Sequence, residues 1–177
     1  MKKNLPGFTL IELLVVIAII GLLATLAVVS FGNARLKARD ARRYSDVKQI
    51  MTAMQLYKDA TGSFPNPATL GCPASASLGF YCLGHGDAGT CWGSGQHGCT
   101  VLDNALKPYL PKIPDDPENN TANAGDAYLY SFDGTGWIPG TVLTWGMNQA
   151  TNPTTCFGGQ YYGQWSTDHY WCATTLQ

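Results

Sequence analysis

The chain has 177 residues, enough for one domain plus an extended element. Hydrophobic residues make up 45% and charged residues 13%, a charge content that argues against an ordinary cytosolic globule. The net charge of −1 hides an asymmetry: residues 1–70 carry nine Lys/Arg against four Asp/Glu, whereas residues 71–177 carry two against eight. A basic first part and an acidic, glycine-rich second part point to two regions in different surroundings.

The chain opens MKKNLPG and runs on as FTLIELLVVIAIIGLLATLAVVSF. From Phe8 to Phe31 only Thr9, Glu12, Thr25 and Ser30 are polar. As a helix these roughly 24 residues match a hydrocarbon core of about 30 Å. A secretory signal peptide fits poorly, because the apolar run is too long and no small-x-small cleavage site stands out before the polar stretch. A plain membrane anchor fits better but leaves Glu12 unexplained. A carboxylate at mid-membrane costs about 2.5–3.5 kcal/mol, and less near the interface.

The segment KKNLPGFTLIELLVVIAIIGLLA resembles the class III signal of type IV pilins and type II secretion pseudopilins. The resemblance is close over about 25 residues and looser along the helix to about Pro65. It implies a short basic leader that a prepilin peptidase removes between Gly7 and Phe8. It also implies methylation of the new N-terminal Phe8 and retention of Glu12 for filament assembly. Elementary chemistry makes this intelligible. Cleavage leaves an ammonium at Phe8, unfavourably placed at the positive end of the helix dipole. Glu12 lies one helical turn away. Such a pair can form within one chain, or between packed helices where a buried carboxylate needs a partner. On the family pattern the partner is the Phe8 amine of a neighbouring subunit.

Arg35, Lys37, Arg39, Arg42 and Arg43 follow the apolar run. The positive-inside rule would hold this flank in the cytoplasm, against the direction that the cleavage motif and the cysteines require. Three readings stay open: contact with anionic headgroups, pairing with acidic residues of adjacent subunits, and a solvated helix face.

No proline interrupts Phe8 to Thr61, and Val47, Ile50, Met51, Met54 and Tyr57 recur after Tyr44 at helical spacing. The pattern predicts one helix of about 80 Å, apolar all round at first and amphipathic later, ending at Gly62 before Pro65 and Pro67. Pilins that carry a proline midway along the apolar stretch differ here, where Val29 and Ser30 stand.

All six cysteines lie in the second part: Cys72, Cys82, Cys91, Cys99, Cys156 and Cys172. An even count among loops points to disulfides and an oxidising compartment. His85 and His97 raise a zinc alternative, but no CxxC or CxxCH occurs, so no metal is expected. Pairing of sequence neighbours, Cys72–Cys82, Cys91–Cys99 and Cys156–Cys172, closes the shortest loops and is the first expectation.

Leu102 to Leu110 reads as a short helix or turn, and LPKIPDDPENN as a proline-punctuated loop. Strands are expected at Ala127–Phe132, Trp137–Trp145, Tyr161–Trp165 and His169–Thr174, with a hairpin turn at Asp133-Gly134. The run YLPKIPDDP and then AYLYSFDGTGW is similar to the segment of pseudopilin heads that enters the sheet. Asp115, Asp116, Glu118 and Asp126 could supply oxygens to calcium, and major pseudopilin heads hold calcium in a loop near the C-terminus. This sequence does not match that loop closely, and a solvated acidic loop is preferred. Asn119-Asn120-Thr121 fits a glycosylation sequon. Tyr161, Tyr162, Trp165, Tyr170 and Trp171 suit sheet packing better than stacking on sugars or single-stranded nucleic acid.

No GxSxG, Walker A or HExxH motif occurs. The adjacency of Ser166, Asp168 and His169 carries no triad geometry. The expectation is therefore an α+β protein, its long N-terminal helix packing a second half on a small antiparallel sheet with disulfide-braced loops. Its parts are a leader (1–7), a membrane and filament-core helix (8–31), the amphipathic continuation (32–62) and a head (63–177). The expected function is a structural subunit of an open helical filament, without catalysis or cofactor. The implied partners are further copies of itself, prepilin peptidase, the inner-membrane assembly platform and the membrane. The implied location is the inner membrane, then an extracellular pilus or a periplasmic pseudopilus. A tip or minor pilin binding a surface or DNA, and a membrane-tethered enzyme, are the alternatives.

Overall fold

Thr9 stops being part of the loop and starts a helix because its side chain can serve the first turn's unpaired amides. Helix α1 then runs Leu10–Thr61 without a break over 52 residues. It ends at Gly62, whose φ of 88° is the left-handed conformation that glycine takes without strain. The computed structural model describes residues 7–74, 79–87, 91, 97–118, 127–133, 138, 140–147, 156, 161–166 and 169–177.

The chain divides into two units, Met1–Leu36 and Lys37–Gln177. In the first, the described apolar side chains of α1 lie exposed: Phe8 is 78% exposed, and the described large apolar residues through Phe31 are exposed too.

The second unit has a core. Val47, Ile50 and Met54 of α1 are buried with Leu102, Leu106, Tyr128, Tyr130, Leu143 and Trp145. Removing each such side chain from water stabilises the unit by about 1.5–3 kcal/mol, which is why the periodic stripe in the sequence marks the packed face. Asn66 caps the short helix α2 (Pro67–Leu70), accepting the Ala68 N–H at 3.0 Å, and Gly71 closes it. Helix α3 (Thr100–Leu106) follows Cys99. The expected helix or turn from Leu102 to Leu110 is this helix plus a turn, set back by two residues at its start.

The sheet comprises β1 (Phe80–Cys82), β2 (His97–Gly98), β3 (Leu129–Ser131), β4 (Val142–Met147), β5 (Tyr161–Ser166) and β6 (His169–Thr175), in the order β2-β1-β3-β4-β6-β5. Every pairing is antiparallel except β1 with β2, where Tyr81 faces His97 in parallel register. The sheet is therefore mixed rather than purely antiparallel. The exception is local: β2 has two residues, and its Gly98 lies so near the Gly86 carbonyl that a Cβ would collide with it. The strand expected from Trp137 begins at Val142, because Gly140 at φ 84° breaks the extended backbone; residues 134–137 and 139 lie outside the described residues. Asp133, at φ 62°, takes the left-handed turn conformation that aspartate tolerates.

Two of the three expected cysteine pairs are corrected. The structure joins Cys72 to Cys99 and Cys82 to Cys91, and it joins Cys156 to Cys172. Helices α2 and α3 pack together, which brings Cys72, just after one, to Cys99, just before the other. Cys82 is buried at the end of β1 and meets Cys91 in a small apolar cluster with Ala127 and Leu129. Tertiary packing, rather than shortest loop, selects the partners. Peptide mapping without reduction is expected to recover a Cys72–Cys99 link spanning 27 residues. A Cys72–Cys82 peptide would contradict this packing.

Candidate functional site

Two groups of residues stand out, one in each unit. In the first, Thr9 and Glu12 form a reciprocal cap at the start of α1. The Thr9 N–H donates to Glu12 Oε2 at 2.8 Å, and the Thr9 hydroxyl donates to the same oxygen at 2.7 Å. The Glu12 N–H donates back to Thr9 Oγ1 at 3.3 Å. This is a capping box, Thr at N-cap and Glu at N3, which satisfies amides that a helix start leaves unpaired. The T-x-x-E spacing was present in the sequence and is the signal for it. Glu12 thus has a role inside its own chain, and its Oε1 has no hydrogen-bond partner among the described residues.

Phe8, Ile11, Glu12, Val15 and Val16 line a shallow groove of about 370 Å³. One carboxylate lies among four apolar side chains there. Gly7 precedes the groove and is exposed. Among the described residues no helix is long and apolar enough to cross a membrane. The side chains of residues 27–30, within the apolar run, lie outside the described set.

In the second unit, one member of the basic flank, Arg43, turns inward, and Arg39 and Arg42 face carboxylates. Arg43 is fully buried. Its Nε and Nη2 donate to the two oxygens of Asp116, each at 2.7 Å. Nη1 reaches Asp40 at 3.3 Å, and Nη2 also reaches Glu118 at 3.1 Å. Arg39 holds the other oxygen of Glu118 at 2.6 Å. Burial works against the Arg43 charge, but Asp116, Glu118 and Asp40 together hold the guanidinium firmly protonated. Beside them Asp46 accepts the Tyr128 hydroxyl at 2.8 Å and faces Arg42 at 3.9 Å. Burial pushes the Asp46 carboxyl up, partly countered by that hydroxyl. Burial, with Asp46 as acceptor, also pushes the Tyr128 phenol up.

The acidic loop expected to be solvated, rather than to bind calcium, instead pairs with basic side chains, and its Asp116 is buried. Asp116 and Glu118 hold Arg43 and Arg39, and Asp115 holds Lys112 at 2.9 Å; Asp126 lies outside the described residues. Sequence reasoning missed the buried role of Arg43, whose partners lie 73 and 75 positions away. Among the described residues no cluster of three metal-ligating side chains occurs. In the C-terminal aromatic group Tyr170 is buried and Trp171 is half-buried. The Trp171 indole lies over Gly163, where a Cβ would strike it at 2.5 Å. The side chains of Tyr161, Tyr162, Trp165, Ser166, Asp168 and His169 lie outside the described set, as does the sequon at Asn119-Asn120-Thr121.

Residues 3–28 match the family described as the prokaryotic N-terminal methylation motif. The chain is 36% identical over 64 residues to the type II secretion system core protein G of Aeromonas hydrophila. It is 42% identical over 55 residues to the type IV major fimbrial protein FimA of Dichelobacter nodosus. It is 36% identical over 63 residues to the type IV major pilin protein PilA of Myxococcus xanthus. These matches cover 36%, 31% and 34% of this chain, and 45%, 35% and 29% of the relatives, less than half of each. No solved structure matches.

Proposed function

We propose that this chain, whose N-terminal third is homologous to type IV pilins and type II secretion pseudopilins, is a structural subunit of a pilus-like helical filament rather than an enzyme. The observation that carries the reading is the conjunction at the start of α1. A Gly7-Phe8 junction precedes a capped helix whose apolar side chains are exposed from Phe8 through Leu26 and again at Phe31. So much exposed apolar surface marks an interaction site. In this reading it lies in the inner membrane before assembly and among the helices of other copies afterwards.

Prepilin peptidase cuts after Gly7, the new Phe8 amine is methylated, and the subunit passes through the inner-membrane assembly platform. Phe8 then carries an ammonium, and Glu12 of an adjacent copy supplies the counter-charge in a dry core. The cap uses Oε2 of Glu12, and Oε1 has no hydrogen-bond partner among the described residues, which suits this pairing. The resulting fibre is open, built on head-to-tail contacts whose rotation and rise do not return to the first subunit. It ends as an extracellular pilus or a periplasmic pseudopilus.

Gly7→Val tests the junction. The variant is expected to accumulate as uncut precursor in the membrane, heavier than the wild-type subunit by the mass of the leader. Normal processing of Gly7→Val, measured by intact mass, would remove Gly7-Phe8 as the cleavage site.

A further inference from the structure

The basic flank conflicts with the positive-inside rule only to the extent that its charges are free. Three of the five cations are engaged inside the second unit: Arg39 with Glu118, Arg42 with Asp46, and Arg43 with Asp116, Asp40 and Glu118. Arg35 and Lys37 are exposed and have no ion-pair partner among the described residues. They are also the two cations nearest in sequence to Phe31, the last residue of the apolar run.

Helix geometry turns that spacing into a depth. At about 1.5 Å per residue, Arg35 lies roughly 6 Å and Lys37 roughly 9 Å along the helix beyond Phe31. A bilayer of about 40–45 Å with a core near 30 Å leaves about 5–8 Å of headgroup on each side. Arg35 falls within that layer, and Lys37 starts just beyond it and reaches back along its flexible stem; Arg39 and the arginines after it start about 12 Å or more beyond Phe31 and are paired with protein carboxylates. The division of partners follows distance from the apolar run.

We propose that Arg35 and Lys37 bind the phosphates of anionic phospholipids on the non-cytoplasmic face while the subunit waits in the membrane, fixing its depth there. The inference rests on the membrane-inserted reading above. Arg35 offers a planar fork that matches phosphate oxygens, and Lys37 a compact point charge on a flexible stem. Acidic residues of a neighbouring subunit are the competing partner, but they would select for charge anywhere along the flank rather than for the two positions at headgroup depth.

The test uses processed full-length subunit in vesicles of equimolar phosphatidylglycerol and phosphatidylcholine, extracted in lipid nanodiscs. The lipids retained around the subunit are counted by mass spectrometry. Each surface cation favours the anionic lipid about fivefold, so Arg35→Gln with Lys37→Gln should lower the phosphatidylglycerol excess by up to about fivefold while the subunit remains inserted. High salt should reduce the wild-type excess in the same direction. An unchanged lipid ratio in the double variant overturns the proposal. An unchanged ratio with lost fibres overturns it too, and assigns the two charges to a neighbouring subunit. Failure of the wild type to insert at all would instead remove the membrane reading on which the proposal stands.

Discussion

Glu12→Leu is expected to abolish fibres while leaving processed subunit in the membrane at wild-type levels. Two effects of Glu12 must be separated, since the carboxylate also caps its own helix. Losing an N-terminal cap costs about 0.5–2 kcal/mol. Leaving a buried ammonium without its partner costs about 3–5 kcal/mol, and in a fibre that penalty recurs at every subunit. Insertion itself becomes easier, because leucine removes a charge from hydrocarbon. Two further variants resolve the roles. Thr9→Val removes the hydroxyl of the cap and keeps the Glu12 charge, so fibres should still form. Glu12→Gln can still complete a capping box but carries no charge, so its fibres should be sharply reduced. Fibre recovery is read beside the amount of processed subunit in the membrane. Normal fibres from Glu12→Leu would leave the residue with its capping role alone.

Arg43→Met should be the most damaging single change in the second unit. The substitution keeps the length and apolar character of the stem but leaves Asp116, whose side chain is fully buried, without its cation. Breaking such a pair costs about 3–5 kcal/mol, and at about 2–4 °C per kcal/mol for a domain of this size the melting temperature should fall by roughly 6–20 °C. Asp116→Leu added to Arg43→Met should recover part of the loss, because it removes the stranded charge. Lys112→Ala is the control. Its pair with Asp115 is 80% and 52% exposed, and exposed pairs contribute about 0–1 kcal/mol. Thermal unfolding of the full chain in detergent measures all three. Equal melting temperatures for Arg43→Met and Lys112→Ala would mean that the buried network does not hold α1 to the 113–118 loop.

The parts of this protein that were legible in its sequence are those set by neighbours along the chain. Helix α1 was readable because no proline interrupts it, its apolar residues repeat at helical spacing and Gly62 ends it. Gly7, Phe8 and Glu12 fall within a few residues of one another, so their pattern survives without a fold. The capping box between Thr9 and Glu12 is equally local, a T-x-x-E spacing at the helix start. What was not legible depends on distance. Arg43 looked like one of five equivalent cations, and only the approach of residues 116 and 118 singles it out. Cys72 has two nearer candidates than Cys99, Cys82 and Cys91, and the packing of α2 on α3 decides between them. Strands β1 and β2, of three and two residues, are too short to carry a period, and Cys82 and Gly98 mark them only once their neighbours are known. The expectation of a solvated acidic loop fails at Asp116, which is buried against Arg43, because that partner lies 73 positions away in sequence.

In the proposed reading this chain leaves its leader behind and builds a fibre through the apolar surface of α1. Intact-mass measurement of the subunit from sheared, purified filaments is the decisive test. A fibre-borne chain that begins at Phe8, with the mass of one added methyl group, is expected. Recovery of the chain outside any filament with Met1 and the leader still in place would contradict it.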